Sequence, residues 1–299
     1  TARTFVTKES SPRAVVASMV GRDVDTGKRP SGGETLATAK TVLEVRDLSV
    51  VASDAVPGPT ARKAIEGVSF ALRRGEVLGI GGAMGSGRTA LLSTLFGSAR
   101  GTVTGSILIR GEAATLDTPR RAIAHGLALL PEDRKGRGLV LGMTVADNLA
   151  LTDRDQGRGK KEATGELGIL HRVFDALGFV DDLQSELTAE ARIRELSIRG
   201  TADAIVSTLS GGNQQKVVLG KWLDTPPDVL LLDEPTRGVD VGAREEIYSL
   251  LETLTARGVS IIVASSDLPE LLRLAHRVIV LRHGKITGEL DSKIGRAHV

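Results

Sequence analysis

The chain contains no cysteine. That excludes a disulfide framework and a thiolate metal site, and it fits a reducing compartment. Aromatic residues are nearly as scarce, with one Trp, one Tyr and five Phe in 299 residues. Stacking platforms for single-stranded nucleic acid need such rings, so that function class is set aside. Neither sign of charge dominates: 39 basic residues stand against 37 acidic ones. A nucleic-acid binder working through bulk charge is therefore excluded, while a local basic patch stays open. No apolar run reaches the ~20 residues of a membrane span. The opening Thr1-Ala2-Arg3-Thr4 carries neither an initiator Met nor a signal-peptide core, so it reads as the middle of a longer protein. His125, His171, His276 and His283 are scattered without metal-ligand spacing.

What is present is concentrated in three segments. Leu209 to Lys216 read LSGGNQQK. Ser210 can cap the helix that follows, and Gly211 and Gly212 allow an anion to approach the positive end of that helix. The apolar run Val229-Leu230-Leu231-Leu232 then leads into Asp233-Glu234-Pro235. Four successive apolar residues indicate a strand buried on both faces, as in a parallel sheet. Its carboxyl end is where open α/β sheets bind ligands. The third segment, Gly82-Ala83-Met84-Gly85-Ser86-Gly87-Arg88-Thr89, follows the apolar strand Val77–Ile80 and opens a helix over 89–96. This is a GxxxxGK[ST] phosphate loop with Arg88 in place of the lysine. Gly82, Gly85, Ser86 and Gly87 would let backbone N–H groups converge on phosphate oxygens. Arg88 would carry the charge as a planar fork rather than a compact ammonium. Thr89 and Asp233 are the expected Mg²⁺ ligands, and Glu234 is the expected general base. The implied ligands are a nucleoside triphosphate and Mg²⁺.

The rest of the chain supplies a frame. Residues 1–20 show a short helical pattern and 21–40 a polar, Gly-rich linker. Alternation at Val42–Val45, Val50–Val51 and Ile65–Leu72, with a turn at Pro57-Gly58-Pro59, predicts a small antiparallel sheet. Further strands are expected at 107–109, 127–130, 261–264 and 278–281. Helices are expected at 120–125, 243–256 and 268–275. Between about 144 and 206 the pattern is helical, with a solvated run at Asp153–Lys161. Strand–helix alternation on either side predicts an α/β fold with a parallel sheet. The tail, Ile294 to Val299, continues no pattern and matches a translated sequencing adapter; 292–299 is set apart as non-native in character.

On these residues the chain resembles the ATPase subunits of ABC transporters, over about residues 41–291. Phosphate loop, LSGG signature, carboxylate strand and Asp240 occur in that family's order and spacing. Within the family it is most similar to the second, C-terminal nucleotide-binding half of tandem monosaccharide-import ATPases of the ribose, galactose and xylose type. Pro131-Glu132-Asp133-Arg134-Lys135-Gly136-Arg137-Gly138-Leu139, the LSGGNQQK segment and Glu234 to Ala243 carry that resemblance. Met19-Val20-Gly21-Arg22 resembles the end of the first half, so 1–40 would be that end plus a linker. The resemblance implies a P-loop NTPase core of ABC type, with an antiparallel β-subdomain and an inserted helical subdomain. It implies a signature of Ser210, Gly211, Gly212, Asn213 and Gln214, and a D-loop Asp240. It implies an N-terminal ABC half, transmembrane permease subunits and a periplasmic or lipid-anchored sugar-binding protein as partners, with no nucleic acid. It implies a place on the cytoplasmic face of the membrane. LSGGNQQK does not exclude the nucleoside-type tandem ATPases, which are the close alternative, and an ABC-type translation factor is the alternative of another class.

Three departures bear on activity. Glu132 stands where the family's glutamine contacts Mg²⁺ or water. Ser266 stands where a switch histidine is usual, and a hydroxyl cannot become cationic near neutral pH. No aromatic lies between Arg46 and Ser69 to stack on adenine. The expectation is a division of labour: this half binds ATP and hydrolyses it poorly, while Ser210 to Gln214 complete the competent site on the other half. The competing expectation is that both sites hydrolyse. Arg134, Lys135 and Arg137 either adjoin the groove for a permease helix or are simply solvated.

Overall fold

A computed structural model describes residues 36, 38–52, 63–156, 182–223 and 226–291. The expected helix over 1–20, most of the linker, the Pro57-Gly58-Pro59 turn, much of the Asp153–Lys161 run and the 292–299 tail lie outside the described residues. The chain divides into two compact units: residues 1–132, 227–235 and 251–299 form the first, and 133–226 with 236–250 the second.

The first unit holds two sheets. β1 (Thr41–Ala52), β2 (Lys63–Arg73), β4 (Gly101–Ile109) and β5 (Glu112–Ala113) form the antiparallel sheet in the order β2-β1-β4-β5. β1 is one strand where the sequence showed two apolar clusters. Asp47, at φ 49°, interrupts the alternation, and the register shifts around it against both β2 and β4. A bulge of this kind re-aims side chains without ending the pairing.

The second sheet contains β3 (Val77–Gly81), β6 (Leu127–Leu130), β7 (Val229–Asp233), β8 (Ser260–Ser265), β9 (Arg277–Arg282) and β10 (Lys285–Asp291) in the order β10-β9-β3-β8-β7-β6. Five of the strands run parallel, and β10 returns antiparallel to β9 along one edge. Every residue of β3, β7 and β8 is buried. This is why those strands read as unbroken apolar runs. Gly79 and Gly81 of β3 keep that face flat: a Cβ on Gly79 would lie 3.0 Å from Ala275 and from Val278. The helices of this unit are α1 (Arg88–Leu95), α2 (Pro119–Ala124) and α7 (Leu268–Leu274). Leu91, Leu92 and Leu95 of α1 join Ile80, Leu231 and Ile262 in one core cluster.

The second unit is helical. Among the described residues it contains α3 (Val145–Gln156), α4 (Asp182–Glu195) and α5 (Gly211–Gly220), with a π-turn at Arg134–Gly138. Asp133 caps that turn by accepting from the Gly136 N–H at 3.0 Å. Asn148, fully buried, accepts from the Val140 N–H and donates to the Val140 and Thr144 carbonyls. Lys221 donates to the Gly138 carbonyl, and burial lowers its ammonium pKa to about 8. α6 (Val241–Ala256) follows β7 in the chain.

A charged knot ties β2, β3, β9 and β10 of the parallel sheet's unit. Glu76 accepts from Arg277 Nε at 2.5 Å and from the Arg73 N–H at 2.7 Å, and Arg277 also holds Glu289 at 2.8 Å. Next to it His276 Nδ1 accepts from the Val77 N–H at 2.9 Å. That bond needs an unprotonated Nδ1, and burial lowers the imidazole pKa despite the opposing charge of Glu76. The unfolded imidazole takes up its proton near pH ~6.5, the folded one at lower pH. Below that value the unfolded state binds more protons, so stability rises with pH. The contribution is complete above the unfolded pKa and is lost as the pH falls from there through the lower, folded one. Urea unfolding at about pH 7.5 and about pH 5.5 should show lower stability at the acidic value. His276→Gln should show a smaller drop; an equal drop in both proteins would refute the assignment.

Candidate functional site

The turn between β3 and α1 is shaped by glycine. Gly87 has φ 109°, and a Cβ there would lie 2.7 Å from the Ala64 carbonyl oxygen, so any other residue is strained and crowded. Gly87 is the N-cap of α1 and offers no side-chain bond to the helix's first N–H groups. Those groups and the positive end of the helix dipole face the loop, which suits an anion. Gly85 has open space where its Cβ would be, and Met84 at the loop tip is 80% exposed. Ser86 and Arg88 are both buried, yet Ser86 Oγ and Arg88 Nε have no hydrogen-bond partner. Two orphaned buried donors in a loop of this shape fit phosphate oxygens as the missing acceptors. Thr89 is exposed.

β7 delivers the carboxylates. Asp233 closes the strand and is buried. Glu234 leaves it at φ 49°, a left-handed backbone that glutamate rarely adopts. The Glu234 N–H donates to the Ala264 carbonyl at 2.8 Å. Its carboxylate Oε1 accepts from Arg88 Nη2 at 2.6 Å and from the Ser266 N–H at 2.9 Å. Arg88 also donates to the Ala83 carbonyl at 3.2 Å. Arg88 and Glu234 are only 8% and 9% exposed. An ion pair so shielded must hold together, since removing either partner leaves a buried charge uncompensated. The fold thus brings Arg88, Glu234 and Ser266 together. The contact from Ser266 is made by its main chain. Glu132, just beyond β6, is half-buried.

Ser210 to Gln214 and Asp240 belong to the second unit. Ser210 Oγ, at the N-cap of α5, accepts from the Asn213 N–H at 3.5 Å and from Asn213 Nδ2 at 3.0 Å. Asn213 Oδ1 accepts from the Arg199 N–H, and Gln214 Nε2 donates to the Val206 and Leu209 carbonyls. Both amides are buried, so their polarity serves to dock α5 against its own preceding loop. Gly211 and Gly212 are also tightly neighboured. A Cβ on Gly211 would lie 2.7 Å from Arg134 Nη2, and one on Gly212 would lie 2.5 Å from the Ala243 Cβ. Arg134 donates to the Arg237 carbonyl at 3.0 Å and to Gln214 Oε1 at 3.4 Å. Its guanidinium is thus bonded twice within the second unit. Asp240 Oδ1 accepts from the Ala243 N–H at 3.0 Å, capping α6. These internal bonds were not visible in the pattern of residue types, because Asn, Gln and Arg look alike whether they face a ligand or a carbonyl.

Residues 65–237 match the family profile described as ABC transporter, which is more than half of the chain. The chain belongs to the ABC transporter family. Curated relatives include a putative ribose/galactose/methyl galactoside import ATP-binding protein of Burkholderia ambifaria, 43% identical over 94% of this chain and 49% of its own length. A xylose import ATP-binding protein of Thermoanaerobacter pseudethanolicus is 42% identical over 92% and 50%, and a ribose import ATP-binding protein of Chromobacterium violaceum is 42% identical over 93% and 49%. The chain spans about half the length of the curated relatives it matches. Among solved structures, a dimeric post-hydrolysis ATP-binding cassette bound to ADP and phosphate aligns with TM-score 0.65 at 19% identity, covering 84% of this chain and 98% of its own. A nucleotide-free ATP-binding cassette aligns with TM-score 0.63 at 21% identity, covering 86% and 94%. The fold is that of an ABC cassette: the antiparallel β-subdomain, the parallel core and the helical subdomain expected from the sequence are all present.

The buried pair gives a direct test. Arg88→Ala leaves Glu234 buried without its cation and should lower unfolding stability by about 3–5 kcal/mol. The double variant Arg88→Ala with Glu234→Gln should recover most of that loss in thermal melting. Equal destabilisation in single and double variants would show that the pair is not coupled.

Proposed function

We propose that this chain is the ATP-binding and ATP-hydrolysing portion of a bacterial ABC importer for monosaccharides, and that it corresponds to the C-terminal nucleotide-binding half of a tandem subunit. The observation that carries the ATPase reading is the convergence of Arg88 and Glu234 beside a glycine loop with unpartnered Ser86 Oγ and Arg88 Nε. The names of the relatives support the sugar-import part. Its partners would be an N-terminal ABC half, transmembrane permease subunits and, through them, a periplasmic or lipid-anchored sugar-binding protein. Among the described residues no helix is long and apolar enough to cross a membrane. The work site would be the cytoplasmic face of the membrane, held there by the permease.

In this reading Gly82, Gly85, Ser86, Gly87 and Arg88 bind the triphosphate through main-chain N–H groups, a hydroxyl and the guanidinium. Thr89 and Asp233 would hold Mg²⁺, with Glu132 as a further ligand through water. An ion held by one or two protein oxygens and the phosphates is the usual Mg²⁺ arrangement. It would neutralise charge building on the phosphoryl oxygens. Glu234 would accept the proton of the attacking water. As the chain stands, that carboxylate is held by Arg88, so phosphate and base compete for one guanidinium. A lysine at position 88 would offer a smaller, single-point partner.

This competition supports the division of labour. The site built on Arg88 binds ATP and turns it over slowly, while the second unit offers Ser210 and the α5 N-terminus to the triphosphate of the other half. Because Asn213 and Gln214 are committed inward, Ser210 and the backbone of Gly211 and Gly212 would make that contact. In the full-length polypeptide, Ser210→Arg should cut Mg²⁺-dependent ATP hydrolysis at least ~10-fold, since exposed Ser210 tolerates the change sterically. Arg88→Ala should cut it less than about threefold. The reverse order would sink the asymmetry, and absence of any Mg²⁺-dependent hydrolysis in the wild type would sink the ATPase reading. Co-purification with ribosomes rather than a permease would favour the translation-factor alternative.

A further inference from the structure

Glu234 is gripped from β8 twice, and the second grip depends on residues outside the expected site. Its own N–H donates to Ala264, and its carboxylate receives the Ser266 N–H. The direction of that amide is set by the turn leaving β8. There Ser265, 1% exposed, donates its hydroxyl to Glu270 Oε2 at 2.6 Å and accepts the Asp267 N–H at 3.0 Å. Asp267 is the N-cap of α7 and Glu270 lies in its first turn, itself 3% exposed. In an ordinary capping box the glutamate of the first turn reaches the N-cap amide directly. Here the Ser265 hydroxyl is interposed, so the bond chain runs Asp267 N–H to Ser265 to Glu270. A hydroxyl bonded to a buried carboxylate at this length is a strong, charge-assisted contact. It fixes the chain on both sides of Ser266.

We propose that Ser265 and Glu270 are positioning residues for Glu234, acting through the main-chain N–H of Ser266. Position 266 carries no imidazole, so the fixed amide takes over the orienting of the base, and the Ser265–Glu270 bond keeps the amide aimed. The cation paired with Glu234 is Arg88 of α1, on a different element from Ser265 and Glu270. The inference rests on the ATPase reading above.

The test uses the full-length polypeptide carrying Ser210→Arg, which silences the site on the other half, so that the steady-state ATP hydrolysis that remains is that of Glu234's own site. Ser265→Ala and Glu270→Ala should each lower kcat about 10-fold while KM for ATP stays within about twofold. Ser265→Thr and Glu270→Gln keep the hydroxyl and the acceptor oxygen, and should recover most of the rate. The decisive readout is a double-mutant cycle. In a Glu234→Gln background, Ser265→Ala should change the residual rate by less than about twofold, since its only route to the chemistry has been removed. Thermal melting identifies any variant that fails to fold, and the Glu270→Gln against Glu270→Ala comparison then carries the same test. An undiminished effect of Ser265→Ala in the Glu234→Gln background, or a raised KM with unchanged kcat, would overturn the proposal. A wild-type polypeptide without ATPase activity would remove the ATPase reading and this inference together.

Discussion

The bond between Arg88 and Glu234 organises everything around it. Two charges withdrawn from water are expensive, and they persist only where geometry and additional hydrogen bonds compensate. The compensation comes from separate parts of the chain: the Ala83 carbonyl takes a second guanidinium donor, and the Ser266 amide donates to the same carboxylate oxygen that Arg88 holds. To bring the partners within 2.6 Å, Gly87 turns left-handed before α1 and Glu234 turns left-handed after β7. The phosphate loop and the carboxylate strand are therefore one electrostatic object. The guanidinium at this loop already has a partner, which distinguishes it from a free lysine at the same place.

Much of this architecture was legible in the amino-acid order. β3, β7 and β8 announced themselves as apolar runs because both faces of each strand are covered. The Gly82 to Thr89 string announced a turn that only glycine can make at position 87. Ser210 was readable as a cap, and it accepts from Asn213 as a cap should. Elsewhere the sequence was silent for physical reasons. β10 alternates weakly and includes Gly288, so its antiparallel pairing with β9 could not be inferred from pattern alone. The π-turn at Arg134–Gly138 is a five-residue stretch of Gly and cations, with composition typical of a solvated loop.

Ser266 shows the deeper limit. The sequence suggests asking what a serine hydroxyl can do in place of an imidazole, whereas the structure answers with the peptide N–H, a group that every residue but proline possesses. Residue type carries no information about such a contact. Asn213, Gln214 and Arg134 illustrate the converse. Their polar termini bond to Arg199, Leu209 and Arg237 within their own unit, contacts that residue type alone does not announce.

The approach of Gly212 to Ala243 has an evolutionary consequence. With 2.5 Å between a would-be Cβ and the Ala243 methyl, the two positions share room for a single methyl group. Position 212 can gain a side chain only if Ala243 gives up its methyl or α5 moves away from α6. The smallness of residue 212 is thus dictated by a neighbour inside the protein, whatever else its backbone does.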